Sequence, residues 1–103
     1  MHYFTICLGP NVIRNFRHKG LARFFMESAS MGIPSEHRAR LARMLDRLDA
    51  AIRPEDMNVP GWRLHPLHGN RKGNWAVAVS GNLRFTFAFD GEDAVDVDLE
   101  DYH

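Results

Sequence analysis

The residues best suited to proton transfer lie in two short segments of the 103-residue chain. His65 and His68 are three residues apart in the segment Leu-His-Pro-Leu-His-Gly, and the sequence ends in Asp101, Tyr102 and His103. Imidazole and carboxylate groups can act as general bases or acids near neutral pH. Both segments are therefore candidates for acid–base catalysis, although a histidine in a strand is more often structural and chain ends often fray.

A third candidate, Arg84, is predicted to lie on a strand face that points away from a row of phenylalanines. A histidine, a carboxylate and an arginine together match the needs of RNA cleavage through the ribose 2′-hydroxyl. That reaction requires a base, an acid and a cation that stabilises the charged phosphorane. Tyr102 adds a ring that can stack on a base or assist proton transfer.

Other kinds of site fit the sequence less well. Zinc would need more ligands than His65 and His68, and Cys7 and His18 are poorly placed to supply them, so we expect no metal site. No phosphate-binding loop, dinucleotide fingerprint or nucleophile elbow is present, and we expect no cofactor. The glycine-rich loop 69–73 carries Arg71 and Lys72, and its context supports only a hairpin turn that touches phosphate.

Charge is distributed unevenly although the net charge is zero. All 13 basic residues precede Asp90, and seven acidic residues follow from that position onward. A basic body suits a polyanion such as RNA, while the alternative is two solvated faces that attract each other. A single cysteine and the lack of a long apolar run or secretion signal lead us to expect a cytoplasmic protein with no membrane contact.

Hydrophobic spacing predicts two helices in the first half of the chain. The first falls within residues 19–30. The second begins at a Ser35 cap and ends before Pro54, with an apolar face formed by Leu41, Met44, Leu45, Leu48 and Ile52. Its opposite side carries four arginines that we expect to be exposed, namely Arg38, Arg40, Arg43 and Arg47.

Alternating patterns predict strands elsewhere. A first strand is expected at Val12–Phe16, and four more follow Gly61. The first of the four is Trp62–Leu67, and the second contains Trp75, Val77 and Val79. The third has Leu83, Phe85, Phe87 and Phe89 on one face. The fourth has Val95, Val97 and Leu99 on one face. Helices followed by an antiparallel meander indicate an α+β domain.

Three segments resemble the HigB toxins of the RelE/ParE superfamily: 16–21 (FRHKGL), 54–67 (PEDMNVPGWRLHPL) and 100–103 (EDYH). Between the second and third lie GNW at 73–75 and NLRFTF at 82–87, in the same order as in that family. The resemblance covers residues 12–103 and leaves 1–11 as an N-terminal extension. It implies two helices packed on a small antiparallel sheet, as in RelE.

The resemblance implies a toxin of a type II toxin–antitoxin system that cuts ribosome-bound messenger RNA without a metal. Its partners would be the ribosome, the message and a HigA-like helix-turn-helix antitoxin, which alone would contact operator DNA. The implied catalytic residues are His65, Asp101, Tyr102 and His103. Phosphate contacts would come from His68 and Arg84. Ribosome or RNA contacts would come from the four arginines of the second helix and from Arg71 and Lys72.

This chain departs from the family's usual pattern at two positions. His68 stands where lysine is usual, and Leu83 stands where tryptophan is usual. Exchanging an ammonium for an imidazole would weaken the hold on phosphate. The alternative function within the same superfamily is inhibition of DNA gyrase by binding alone, and the acid–base triplet at 101–103 favours the nuclease.

Overall fold

Two α-helices precede a four-stranded antiparallel sheet in the computed structural model, which describes residues 13–27, 29 and 32–101. The helices are α1 (Lys19–Glu27) and α2 (Arg38–Ala50). The strands are β1 (His65–Pro66), β2 (Asn74–Ala78), β3 (Leu83–Asp90) and β4 (Asp93–Asp101), and they lie in that order across the sheet. This arrangement confirms the predicted α+β class.

The observed α1 lies within the predicted range of 19–30, whereas α2 is shorter than the hydrophobic pattern predicted. His18 precedes α1 and caps its N-terminus, because its Nδ1 accepts a hydrogen bond from the backbone N–H of Leu21 at 2.9 Å. The predicted Ser35 cap is wrong: Ser35–His37 forms a short 3-10 turn, and α2 starts at Arg38 without a side-chain cap. The helix ends at Ala50, before the predicted stop at Pro54, because Ala51 takes up an extended backbone.

The apolar face of α2 packs against one face of the sheet. Its buried residues are those predicted from the helical period, except Ile52, which lies beyond the helix and is half-buried. From the sheet, the largest buried side chains in this core are Val77, Phe85, Phe87 and Val97. The opposite face of the sheet is therefore left to carry polar side chains.

The first strand of the sheet is much shorter than the predicted Trp62–Leu67. Arg63 adopts a left-handed backbone with φ of 58°, which breaks the extended run just before His65. Only His65 and Pro66 pair with β2. Trp62 lies in the preceding turn, where it is buried and its carbonyl accepts a hydrogen bond from Ala78.

A bulge interrupts the pairing of β4 with β3. Ala88 opposes Val95 and Thr86 opposes Asp98, so β4 contains one residue more than its partner between these pairs. Asp96 has φ of 55° at this point. The expectation that Val95, Val97 and Leu99 share one face is therefore wrong, because the bulge puts Val95 on the opposite face from the other two.

Residues 13–17 run beside β4 without forming a regular strand. Ile13 and Phe16 make parallel bridges to Ala94 and Val97. Asn15 fixes the bulge, since its Oδ1 accepts the amide hydrogen of Asp96 at 2.6 Å. The predicted first strand is thus reduced to two bridges, and Val12 lies outside the described residues.

Removing residues 1–11 should leave the melting temperature unchanged, whereas a chain that begins at His18 should melt several degrees lower. The longer deletion removes Ile13 and Phe16 from the core edge and the Asn15 contact from the bulge. Circular dichroism melts of the two truncated chains would compare them. A large loss in the first truncation would show that the extension belongs to the folded domain.

Candidate active site

The polar face of the sheet carries two of the predicted site residues, His65 and Arg84. Residues directly paired across antiparallel strands point to the same side. His65, Ala76, Thr86 and Asp98 form one such row. In the next row, Arg84 lies opposite Glu100. The histidine is thus about 10 Å, or two strand spacings, from Thr86 on the face that bears the arginine.

A hydrogen bond to the backbone fixes the ring of His65. Its Nδ1 lies 2.9 Å from the carbonyl oxygen of Arg63. A carbonyl oxygen only accepts, so Nδ1 carries a hydrogen, and a neutral ring keeps its lone pair on Nε2. The left-handed backbone at Arg63 belongs to the turn that presents this carbonyl. Nε2 can therefore accept a proton from a substrate.

Glu100 links two arginines on the same face. Arg84 donates from Nε and Nη2 to Glu100 Oε1 at 3.2 and 3.1 Å. Arg71 donates from Nη1 to Oε1 at 3.1 Å and from Nη2 to Oε2 at 2.5 Å. The fully buried Thr86 hydroxyl lies 3.4 Å from Oε2. The three side chains of this arginine–glutamate cluster have a summed formal charge of +1.

The two guanidinium groups also hold Glu100 ionised. The hydrogen bond from Arg71 is the largest cause that lowers the pKa of Glu100, and Arg84 adds to it against the opposing effect of desolvation. The same bond raises the pKa of Arg71. Glu100 is therefore ionised at neutral pH and shared by the two guanidinium groups.

Sequence reasoning missed Glu100 as a member of this site. Alternation along β4 placed it on the acidic face, but its partner could be assigned only from the strand register. Asp101, which was predicted to be catalytic, is exposed and pairs with Leu83 on the side of the helical core. Its Oδ1 accepts a hydrogen bond from Asn82 Nδ2 at 2.8 Å. Tyr102 and His103 lie outside the described residues.

The arginines of α2 are not equivalent. The prediction that all four are exposed is wrong for Arg38 and Arg40, which are half-buried. Arg38 donates to the carbonyl of Ile33, and Arg40 donates to the carbonyls of Gly61 and Ala78. Arg38 thus links α2 to the segment before it, and Arg40 links α2 to the turn at Gly61 and to the last residue of β2. Their long carbon stems allow this reach.

The remaining basic residues are more open to solvent. Arg43 and Arg47 are exposed, although Arg47 also donates to the carbonyl of Asp56 at 2.8 Å. Lys72 is exposed at the end of the glycine-rich loop, and His68 is exposed just before it. Gly69–Arg71 forms a 3-10 turn in that loop, which positions Arg71 to reach Glu100.

Arg40 is expected to contribute more to stability than its neighbour Arg43. Replacing Arg40 with methionine keeps the apolar stem but removes three charged hydrogen bonds, so we expect a loss of about 1–2 kcal/mol. The matched change Arg43→Met should stay within about 0.5 kcal/mol, as is usual at exposed positions. Urea unfolding followed by tryptophan fluorescence measures both, and equal losses would contradict the structural role.

Within the described residues, no group of three or more histidine, cysteine, aspartate or glutamate side chains is placed to hold a metal ion. No helix in the same part of the chain is long and apolar enough to cross a bilayer.

Comparison with known proteins identifies relatives along most of the chain. A family model described as "RelE-like toxin of type II toxin-antitoxin system HigB" matches residues 14–103. A protein named "Endoribonuclease HigB" from Proteus vulgaris is 37% identical over 92 residues, which cover 89% of this chain and 100% of that protein. With this match and the observed fold, the chain belongs to the HigB-like family of RelE-like toxins from type II toxin–antitoxin systems.

Proposed function

We propose that this toxin is an endoribonuclease that cuts messenger RNA bound to the ribosome and so stops translation. The observation that carries the proposal is the placement of His65 on the same sheet face as the arginine–glutamate cluster. A base and a cationic phosphate cradle are what cleavage through the 2′-hydroxyl requires. The name of the Proteus vulgaris relative supports the same activity.

In the proposed reaction, Nε2 of His65 accepts the proton of the ribose 2′-hydroxyl. The 2′-oxygen then forms a bond to the adjacent phosphorus while the bond from phosphorus to the 5′-oxygen breaks. Arg84 stabilises the added negative charge on the phosphorane. A proton must also reach the 5′-oxygen, and Tyr102 and His103 remain the proposed donors because Asp101 lies on the other face of the sheet. The product is a 2′,3′-cyclic phosphate. Every step uses protein groups alone, without a metal.

The proposed partners are the ribosome and a HigA-like helix-turn-helix antitoxin. Arg43, Arg47 and Lys72 are exposed and remain our proposed contacts to ribosomal RNA. Arg38, Arg40 and Arg71 already serve carbonyl or carboxylate acceptors within the chain, so we assign them to holding the fold and the site. Exposed cations that release counterions from RNA would make ribosome association weaken steeply with salt.

Mapping the cut ends of a defined message in a translating extract tests the proposal. We expect cuts within codons when ribosomes are present, and an intact message when the protein meets the same RNA alone. Co-expression with a HigA-like helix-turn-helix antitoxin should restore translation. An uncut message together with inhibited DNA supercoiling by gyrase would instead favour the binding inhibitor of the same superfamily.

A further inference from the structure

A groove of about 490 Å³ opens beside His65. It lies between the turn before β1 and the end of β2, and His65 forms part of its wall. The other lining residues are Arg40, Gly61, Arg63, Ala78, Val79, Ser80 and Gly81. Two of the lining residues are cationic and none is acidic, so the groove attracts anions.

Arg63 is the cation in this groove that is available to a ligand. Its side chain makes no hydrogen bond or ion pair with another described residue, and the residue is exposed. Arg40 differs, because its Nε and Nη2 already donate to the carbonyls of Ala78 and Gly61. The groove thus offers an uncommitted guanidinium beside a candidate general base.

The position of Arg63 is tied to that of His65. The two residues are joined by the hydrogen bond between the Arg63 carbonyl and the His65 ring. Ala78, whose small side chain leaves space, pairs with Arg84 across the sheet and also lines the groove. An RNA strand whose reacting phosphate meets Arg84 and His65 would therefore continue into this groove past Arg63.

We propose that the groove binds the phosphodiester adjacent to the one that is cut, and that the Arg63 guanidinium contacts this phosphodiester. The inference rests on the proposed nuclease function and adds a second phosphate-binding position to it. Arg63 would contribute to substrate binding rather than to proton transfer.

Binding of a non-cleavable RNA to the free protein tests this proposal. The probe is 2′-O-methyl tetraadenylate, which carries three phosphodiesters and lacks the attacking hydroxyl. The comparison probe is the 2′-O-methyl dinucleotide ApA, which carries one. We expect the tetranucleotide to shift the amide resonances of Val79, Ser80 and Gly81 in an NMR titration. Its affinity should fall about three- to tenfold in Arg63→Asn, with little change for ApA.

The variants are chosen to separate charge from backbone effects. Asparagine tolerates the left-handed conformation of residue 63 better than most residues, so Arg63→Asn removes the cation with little added strain. Arg63→Lys should restore most of the affinity. Arg23→Asn, on an exposed position of α1, is the matched control and should bind as the parent does. The salt slope of tetranucleotide binding should fall by about 0.7 in Arg63→Asn.

The outcomes distinguish the groove from the nuclease. If Arg63→Asn binds the tetranucleotide with unchanged affinity and salt slope, the proposed phosphate site in the groove is wrong, even if the parent cuts ribosome-bound message. An absence of shifts at the groove amides at any soluble RNA concentration would overturn it as well. A protein that binds the tetranucleotide through Arg63 but leaves ribosome-bound message intact would retain the groove and lose the proposed function.

Discussion

Replacing His65 with alanine should reduce single-turnover cleavage of ribosome-bound message by roughly 10²- to 10⁴-fold, the usual contribution of a general acid or base. The hydrogen bond from Nδ1 to the Arg63 carbonyl leaves the free lone pair on Nε2. The alanine variant lacks this basic nitrogen. The side chain is half-buried at the edge of the sheet, so the fold should persist.

The matched control for this prediction is His37→Ala. His37 lies in the short turn before α2 and is not among the residues of the candidate site. Its replacement should leave the cleavage rate unchanged. Circular dichroism melts and co-purification with the antitoxin confirm that each variant is folded. A His65→Ala protein that cuts at the parental rate would show that another group takes the 2′-hydroxyl proton.

Replacing Glu100 with glutamine should destabilise the protein by about 1–2 kcal/mol at neutral pH. The change leaves Arg71 and Arg84 as like charges without their shared carboxylate. Breaking a buried ion pair costs more than this, but the Arg71 side chain is 36% exposed, and solvent screens part of the effect. Urea unfolding at pH 7 measures the loss.

At acidic pH, the difference in unfolding free energy between the parent and the Glu100→Gln protein should become smaller. The arginines lower the pKa of Glu100 in the folded state below its ordinary value. Its stabilising contribution is therefore complete above the unfolded-state pKa and is lost as the pH falls through the folded-state pKa. The urea unfolding curves of the parent and the Glu100→Gln protein should therefore become more alike as the pH falls from 7 to 3. The control is Glu92→Gln, in the exposed hairpin turn. If the difference in unfolding free energy between the parent and Glu100→Gln stays constant across this pH range, the assignment is contradicted.

The helical core and the order of the strands follow from local patterns in the sequence. Leu41, Met44 and Leu45 repeat at helical spacing, and this signal requires no knowledge of distant contacts. The phenylalanines of β3 alternate in the same local way. For such segments, burial of one continuous face determines the structure, so the prediction and the observed element agree.

The parts that could not be predicted depend on contacts between distant segments. Arg63 interrupts a strand by adopting a left-handed backbone conformation, which could not be predicted from its residue type. Asp96 forms a bulge that is fixed by Asn15, 81 positions earlier. Glu100 joins Arg71 and Arg84 only because the register after that bulge brings it opposite Arg84. Each of these features is set by tertiary pairing rather than by periodicity.

The bulge at Asp96 also lies between the hairpin turn and the site. Because the bulge holds the extra residue, a chain without Asp96 would form a regular ladder in which Glu100 still faces Arg84. The turn at Gly91 lies about 20 Å from Arg84, at the other end of the eight-residue β3. This end of the sheet is therefore the natural attachment point for a fluorophore or affinity tag.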